Sequence, residues 1–284
     1  MIDGVARGWI IPPPGGETPC TWVVHQGNGY RVGAVRIPPR HPRWERVNWI
    51  PGLPILMFPR QPIRIRLLGG GGGMIDAGCA VYFASEERYR CEPAGDAGDR
   101  SDWFALSPEL MARLAPELEL ADLRTTRITV RPHEFELQRR AFRHALVAPE
   151  PDDLLLEEAL CRMLGLLHSV REMPRRGLAE DLKALLAVRY RETLRLDDLA
   201  AELHVSPNHL CREFRRETGT TIHGHRELLR LAEALDHFER PCDDLTGLAL
   251  DLGYSSHAHF SANFKRVLGT SPSRLRAAIR QGRF

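Results

Sequence analysis

The sequence predicts an α+β protein: a small N-terminal β-barrel with following helices, then an all-α C-terminal domain carrying two helix-turn-helix motifs. Three observations predict it. The first hundred residues hold short, closely spaced runs rich in Val, Ile, Trp and Tyr. From about residue 107 the apolar spacing turns helical. The segment from Leu199 to Thr220 recurs once, with the same types of capping and anchoring residues, ending at Thr270. At 284 residues the chain is long enough to bury two separate cores.

The expected strands are Thr21–Gln26, Tyr30–Ile37, Val47–Ile50, Pro54–Phe58, Pro62–Leu68, Cys79–Ala84 and Trp103–Leu106. Turn signals at Gln26–Gly29, Pro51–Gly52 and Gly69–Gly73 separate them. Ile63–Leu67 alternates with period two, so one face is buried and the other wet. Five consecutive glycines suit a flexible hairpin tip, because a regular strand holds such a run only at a cost in backbone entropy. A phosphate loop would continue into Lys-Ser/Thr and a helix start; here Met74-Ile75-Asp76 follows. Short strands at this spacing form a small barrel or sandwich, assigned to residues 1–130. Trp22, Tyr30, Trp49, Met57 and Tyr82 are its candidate pocket residues, with plain core as the alternative role.

Ser107 followed by Pro108 is an N-cap with proline at the first helical position. Arg131–Val147 is an expected helix, and Pro151-Asp152-Asp153 opens another, with Leu156, Leu160, Leu164 and Leu167 at helical spacing. This pair can pack on the barrel or on a second subunit. Met173–Gly177 then breaks the helix, so 131–177 reads as dimerisation helices plus linker, and 178–284 as the C-terminal domain.

In the repeat, the offset is 49 at Leu199/Leu248 and 50 at Phe214/Phe264 and Gly219/Gly269, so one residue is inserted around the turn. Each copy reads as helix, tight turn, helix. Leu199, Ala200 and Leu203, with Leu248, Ala249 and Leu252, form the apolar stripe of the first helix. Gly253 stands where the chain leaves that helix, a position favouring positive φ, and His204 is its counterpart. Val205 and Tyr254 turn inward, and Ser206 and Ser255 are the expected caps of the second helices. Phe214 and Phe264 anchor those helices, with Leu210 and Phe260 a turn earlier. Such geometry places the second helix in a DNA major groove. Between the copies, Ile222–Phe238 carries Leu228, Leu231, Leu235 and Phe238 on one stripe. It gives a spacer of roughly 25 Å, on the scale of a DNA turn of about 34 Å.

Counting from the anchors, the exposed positions are Asn208, Cys211, Arg212 and Arg215 in the first copy and His257, Ala258, Ser261 and Ala262 in the second, of which Asn208, Cys211, Arg212, His257 and Ser261 are the candidates to read bases. Arg pairs with guanine O6/N7 and Asn with adenine N6/N7. Arg212 leads these candidates because the residues three and four away (Asn208, His209, Arg215, Arg216) include no acid. Ser206, Arg215, Ser255, Lys265 and Arg266 are the candidate phosphate contacts. A net charge of +2 excludes binding by bulk charge, so the basic surface must be local. Residues 252–284 carry six Lys or Arg and no acid, whereas 179–284 carries 16 basic and 15 acidic residues.

Neither metal nor catalytic chemistry is expected. His223/His225 and His257/His259 are spaced i, i+2, which points to different helix faces, so surface or DNA-facing roles are favoured. His25 and His41 in the barrel do not make a ligand set. There is no Gly-x-Ser-x-Gly, and the six cysteines form no CxxC, which fits a reducing cytoplasm. No stretch is long and apolar enough to span a membrane, and the N-terminus lacks a leader pattern.

At 178–277 the sequence resembles the AraC/XylS family of bacterial transcription activators. Asp251–Pro272 carries the most specific match: a Gly-aromatic turn, Phe260-Ser261, Phe264-Lys265 and Gly269-Thr-Ser-Pro272. The first copy keeps Leu199-Ala200, Ser206-Pro207, His209-Leu210, Phe214 and Glu217-Thr-Gly219; the spacer keeps Arg230-Leu231 and Ala234. His204, His225 and Leu275 depart from the pattern without removing a structural requirement. The resemblance implies a sequence-specific regulator whose partner is double-stranded DNA. It implies a cupin-like sensor domain for a small-molecule effector, a homodimer and contact with RNA polymerase, and it brings no cofactor. The competing reading is a cupin-like barrel enzyme or binding module with a helical tail for protein contacts.

Overall fold

A computed structural model describes residues 20–95, 98–169, 171–172, 177–238 and 244–280. The N-terminal stretch without a leader pattern, most of the linker (Met173–Arg176), Cys242 and Arg283 lie outside the described residues. The strands are β1 (Thr21–Gly27), β2 (Tyr30–Ile37), β3 (Asn48–Trp49), β4 (Ile55–Pro59), β5 (Ile63–Leu67), β6 (Gly72–Ile75), β7 (Cys79–Phe83), β8 (Arg88–Pro93), β9 (Asp99–Leu106), β10 (Thr126–Thr129) and β11 (Arg171–Glu172). They form a seven-stranded sheet in the order β1-β2-β9-β4-β7-β10-β11 and a four-stranded sheet in the order β3-β8-β5-β6.

The expected closed barrel is therefore corrected to two sheets. Its physical reason lies in the alternation of the large sheet. Leu56 and Phe58, Ala80 and Tyr82, and Phe104 and Leu106 belong to one core. Met57, Cys79, Val81, Phe83, Trp103 and Ala105, from the same strands, belong to another, shared with Ile63, Ile65, Ile75, Tyr89 and Cys91 of the small sheet. A strand buried on both faces cannot show which face lines an interior. The first core continues into the helices α1 (Pro108–Leu114), α2 (Pro132–Val147) and α3 (Asp153–Gly165), through Phe135, Phe142, Leu156 and Leu160. A hydrogen bond of 2.5 Å from the Tyr30 hydroxyl to Asp153 Oδ1 ties the sheet to the start of α3.

The glycine run makes a hairpin tip only in part. Gly72 and Gly73 pair in β6 with Arg66 and Ile65 of β5. A Cβ on Gly72 would stand 2.3 Å from the Ile65 carbonyl oxygen, so the close approach of the two backbones requires glycine there.

Asp99, at the start of β9, is buried. Burial pushes its carboxyl from the ordinary 3.8 up to about 6, against the hydrogen bond from Ser101 Oγ and the charge of Arg43. Between those values the folded chain holds a proton that the unfolded chain has lost. This group's contribution is thus full at low pH and falls as pH rises through 6. Two pH units correspond to about 3 kcal/mol. We expect Asp99→Asn to remove that loss, narrowing its stability gap to the wild type as pH falls from 6 to 4 in urea titrations. A gap independent of pH would contradict it.

The C-terminal domain comprises α4 (Leu178–Arg189), α5 (Leu196–Glu202), α6 (Pro207–Thr218), α7 (Ile222–Phe238), α8 (Leu245–Asp251), α9 (His257–Leu268) and α10 (Pro272–Arg280). The α5–α6 unit shares a core with α4: Leu182, Leu186, Leu199, Leu210, Phe214 and Leu229. The α8–α9 unit packs on the other end of α7, and its core, with Leu235, Phe238, Phe260 and Phe264, is continuous with that of α2 and α3. Buried ion pairs join the domains. Asp236 of α7 meets Arg60 at 3.4 Å, Arg100 at 2.9 Å and Arg139 at 3.1 Å, while Asp102 takes Arg60 at 2.7 Å and Arg139 at 3.4 Å. His225 Nε2 lies 3.0 Å from Asp76 Oδ2, and Arg127 of β10 pairs with Glu180 of α4.

Candidate nucleic-acid interface

Each motif is built by the same local chemistry. α5 ends in a turn where His204 takes φ 56°, and α8 ends where Gly253 takes φ 80°. Val205 N–H then donates to Ala200 O, and Tyr254 N–H to Ala249 O, both at 3.0 Å, folding the turn back on its helix. Ser206 caps α6 by accepting the His209 N–H. The cap of α9 is a correction. It is Ser256, not Ser255, whose hydroxyl accepts the His259 N–H at 3.1 Å. His204/Gly253 keep an offset of 49 while Ser206/Ser256 have 50, so Ser255 is itself the inserted residue. Its hydroxyl instead lies 3.1 Å from His259 Nδ1. Both second helices, α6 and α9, close on a left-handed glycine, Gly219 at φ 75° and Gly269 at φ 72°.

Phe214, Phe260 and Phe264 are fully buried, which fixes the opposite face of each helix outward. Asn208, Cys211, Arg212 and Arg215 of α6 are exposed, as are Ser206, Ser255, His257, Lys265 and Arg266; Ser261 is half-buried. Among the described residues Arg212 meets His209, whose Nδ1 is 3.5 Å from Nη2, and pairs with no carboxylate. Arg216, one position beyond Arg215, is instead held by Glu213 and Glu217. His257 Nε2 and Ser261 Oγ lie 3.3 Å apart, so these two candidates share one polar spot on α9.

A buried polar network that sequence reading missed couples the two units. Arg230 of α7 donates to the Tyr190 carbonyl beyond α4 at 2.9 Å, pairs with Glu227 at 3.1 Å and stacks on the Tyr254 ring at 4.9 Å. Asn263 of α9 donates to Glu227 and, at 3.2 Å, to the Tyr254 hydroxyl, and Arg266 donates to Asn263. Burial pushes the Tyr254 phenol well above its ordinary value, so it stays a neutral partner. Only Arg230-Leu231 in the spacer hinted at this.

Gly253 sits inside the same joint. A Cβ there would lie 1.9 Å from the Arg191 carbonyl oxygen and 2.6 Å from Arg230 Nη2. Gly253→Ala must therefore move backbone as well as adopt a strained φ, which alone costs about 1–2 kcal/mol. We expect a clear drop in thermal midpoint and weakened DNA binding. An unchanged midpoint would show that the joint is loose.

The remaining candidates separate. His225 is a correction: not surface or DNA-facing, it is 2% exposed, bonded to Asp76 and edge-on to Phe214. His225 and Lys183 hold the Asp76 carboxyl well below the usual range although burial pushes the other way. Of the pocket candidates, Tyr30 and Tyr82 are buried on the helix-facing side of the large sheet, and Trp22 packs against that side. Trp49 is 46% exposed and, with Met57 and Trp103, lines a cavity of about 60 Å³ on the side of the small sheet. The structure does not bring these residues to one site.

A family model described as a helix-turn-helix domain matches residues 199–278. The chain is 27% identical over 138 residues to the Msm operon regulatory protein of Streptococcus mutans, covering 45% of this chain and 49% of that one. It is 30% identical over 143 residues to the MmsAB operon regulatory protein of Pseudomonas aeruginosa, covering 50% and 44%. It is 31% identical over 102 residues to the HTH-type transcriptional activator RhaS of Escherichia fergusonii, covering 36% and 35%. The chain thus spans about half or less of the length of the curated relatives it matches.

Proposed function

We propose that residues 199–278, matched by a helix-turn-helix domain model, form a domain of the AraC type, and that the chain is a sequence-specific regulator of transcription that binds double-stranded DNA. The observation carrying this reading is the pair of reading helices on one α7 frame, with Arg212 exposed and without a carboxylate. α6 enters one major groove and reads bases with Arg212, Asn208 and Cys211; α9 enters the next with His257 and Ser261. Ser206, Arg215, Ser255, Lys265 and Arg266 contact phosphates on either side. The two-sheet, cupin-like N-terminal domain senses a small-molecule effector. Leu154 and Leu155, exposed at the start of α3, support a homodimer through that helix. The regulator acts in the cytoplasm, on promoters, through RNA polymerase.

Gel-shift titration against a bound promoter fragment and its single-base variants tests this. Arg212→Ala costs about 1–3 kcal/mol and relaxes specificity at one base pair, whereas Lys265→Ala weakens all sequences alike and lowers the salt slope by about 1. If the wild type shifts no promoter fragment at low salt, the reading gives way to a binding module whose helical tail makes protein contacts.

A further inference from the structure

The small sheet uses one face for the core it shares with the large sheet, through Ile63, Ile65, Tyr89 and Cys91. Alternation turns Arg64, Arg66, Arg88, Arg90 and Glu92 to its outer face. The β6 end of that face is covered: Met74, opposite Arg64, is 1% exposed, and its N–H donates to Glu180 of α4. The β3 end is exposed. There Trp49 stands opposite Arg88, whose carbonyl accepts the Leu68 N–H, so Leu68, Arg88 and Trp49 make one row across the sheet. Arg66 and Arg90 stand opposite each other in the next row, and Val47 immediately precedes β3.

A wet outer face of charged residues is ordinary for an antiparallel sheet, but Val47, Trp49 and Leu68 are exposed within it. They are three of nine large apolar side chains exposed among the described residues; two others, Leu154 and Leu155, start α3. The two surfaces are opposite in charge. On the sheet, like charges directly across from each other, as at Arg66 and Arg90, repel, and Glu92 is the acid on this face of β5 and β8, pairing with Arg66 at 3.0 Å. On the helix, Glu150–Glu158 holds five acids and no Lys or Arg. Exposed Arg113 and Arg162 pair with Glu157 and Glu158, a kind of surface pair worth little, and Asp152 caps α3. Laid on its own copy, this segment would set acid against acid. Laid on the small sheet, it sets acid against arginine, and leucines against Trp49, Leu68 and Val47. Trp and Arg are also the side-chain types enriched at interface hot spots.

We propose that the acidic, leucine-bearing start of α3 of one chain docks on the outer face of the small sheet of a second copy, at Trp49, Leu68, Arg66, Arg88 and Arg90. The contact joins unlike surfaces, so in a two-fold dimer each chain gives one and receives one. The inference deepens the homodimer of the regulator reading by naming the surface that receives α3. It rests on that reading for its role on promoters, but not for the association itself.

The test is sedimentation velocity of the full-length chain without DNA. Salt screens exposed charges, so we expect association that weakens at least tenfold between about 50 and about 500 mM NaCl. Contact between two acidic α3 segments would strengthen instead. Leu154→Lys on the helix and Arg88→Glu on the sheet, both at exposed positions, should each keep the thermal midpoint and leave the chain monomeric. Mixed in equal amounts, the two variants should form a heterodimer. The first keeps an intact sheet face and the second an intact α3, while the other contact sets the introduced lysine against the introduced glutamate. A monomeric wild type at low salt, association that strengthens with salt, wild-type association by Arg88→Glu, or a mixture that stays monomeric overturns the proposal. Promoter binding by the same preparation separates the two readings. A monomer that shifts a promoter fragment sinks the contact alone; a dimer that shifts none at low salt sinks the regulator alone.

Discussion

Asp236→Ala will release the helix-turn-helix domain from the N-terminal domain before either unfolds. Asp236 is 1% exposed and brings an α7 carboxylate to Arg60, Arg100 and Arg139, two of which also meet Asp102. Its removal takes a carboxylate away from these guanidinium groups, and breaking one side of such a buried cluster costs about 3–5 kcal/mol. The penalty falls on the docked state, because in a separated arrangement the arginines regain water. The α5–α6 unit keeps a core of its own through Leu186, Leu210 and Phe214. Calorimetry should therefore resolve two transitions in the variant where the wild type shows one, and limited proteolysis should cut between the domains. A single transition at the wild-type temperature would mean that apolar contacts alone dock them.

Phe214→Ala is the second large effect. The ring is fully buried between α4, α6 and α7 and meets His225 edge-on at 5.5 Å. Truncating a buried phenylalanine costs about 3–5 kcal/mol. The loss should appear as a lower denaturation midpoint together with loss of DNA binding, since α6 is no longer held at a fixed angle. Arg212→Ala, on the same helix but exposed, should leave the midpoint unchanged and weaken only binding. Two variants with the same midpoint would show that Phe214 does not anchor the helix.

Much of the helix-turn-helix domain was legible because it is local. The bounds of α7, the Phe anchors, the Ser206 cap and the positive φ at His204 and Gly253 all follow from residue types within a few positions of each other. The second cap was misplaced because Ser255 and Ser256 are adjacent and chemically alike; only the turn geometry shows which one was inserted. The two sheets were not legible because strands such as β7 are apolar on both faces, which tells burial but not the partner. Strand β8 was missed for the opposite reason: it alternates Arg88, Arg90 and Glu92 with Tyr89 and Cys91, and the charges mask an edge of the core. The interdomain cluster could not be read at all. Arg60, Asp102, Arg139 and Asp236 look like solvated charges until the fold brings together positions up to 176 residues apart. His225 belongs with them, since its partner Asp76 is 149 residues away.

The most direct measurement is a hydroxyl-radical footprint of the full-length chain on a promoter fragment it binds. Two reading helices on one rigid α7 should protect two segments on the same face of the duplex, about one helical turn apart, and Arg212→Ala should blur the first segment while sparing the second. Protection of one groove segment only, or of both equally weakened by Arg212→Ala, would contradict a pair of units that read DNA side by side.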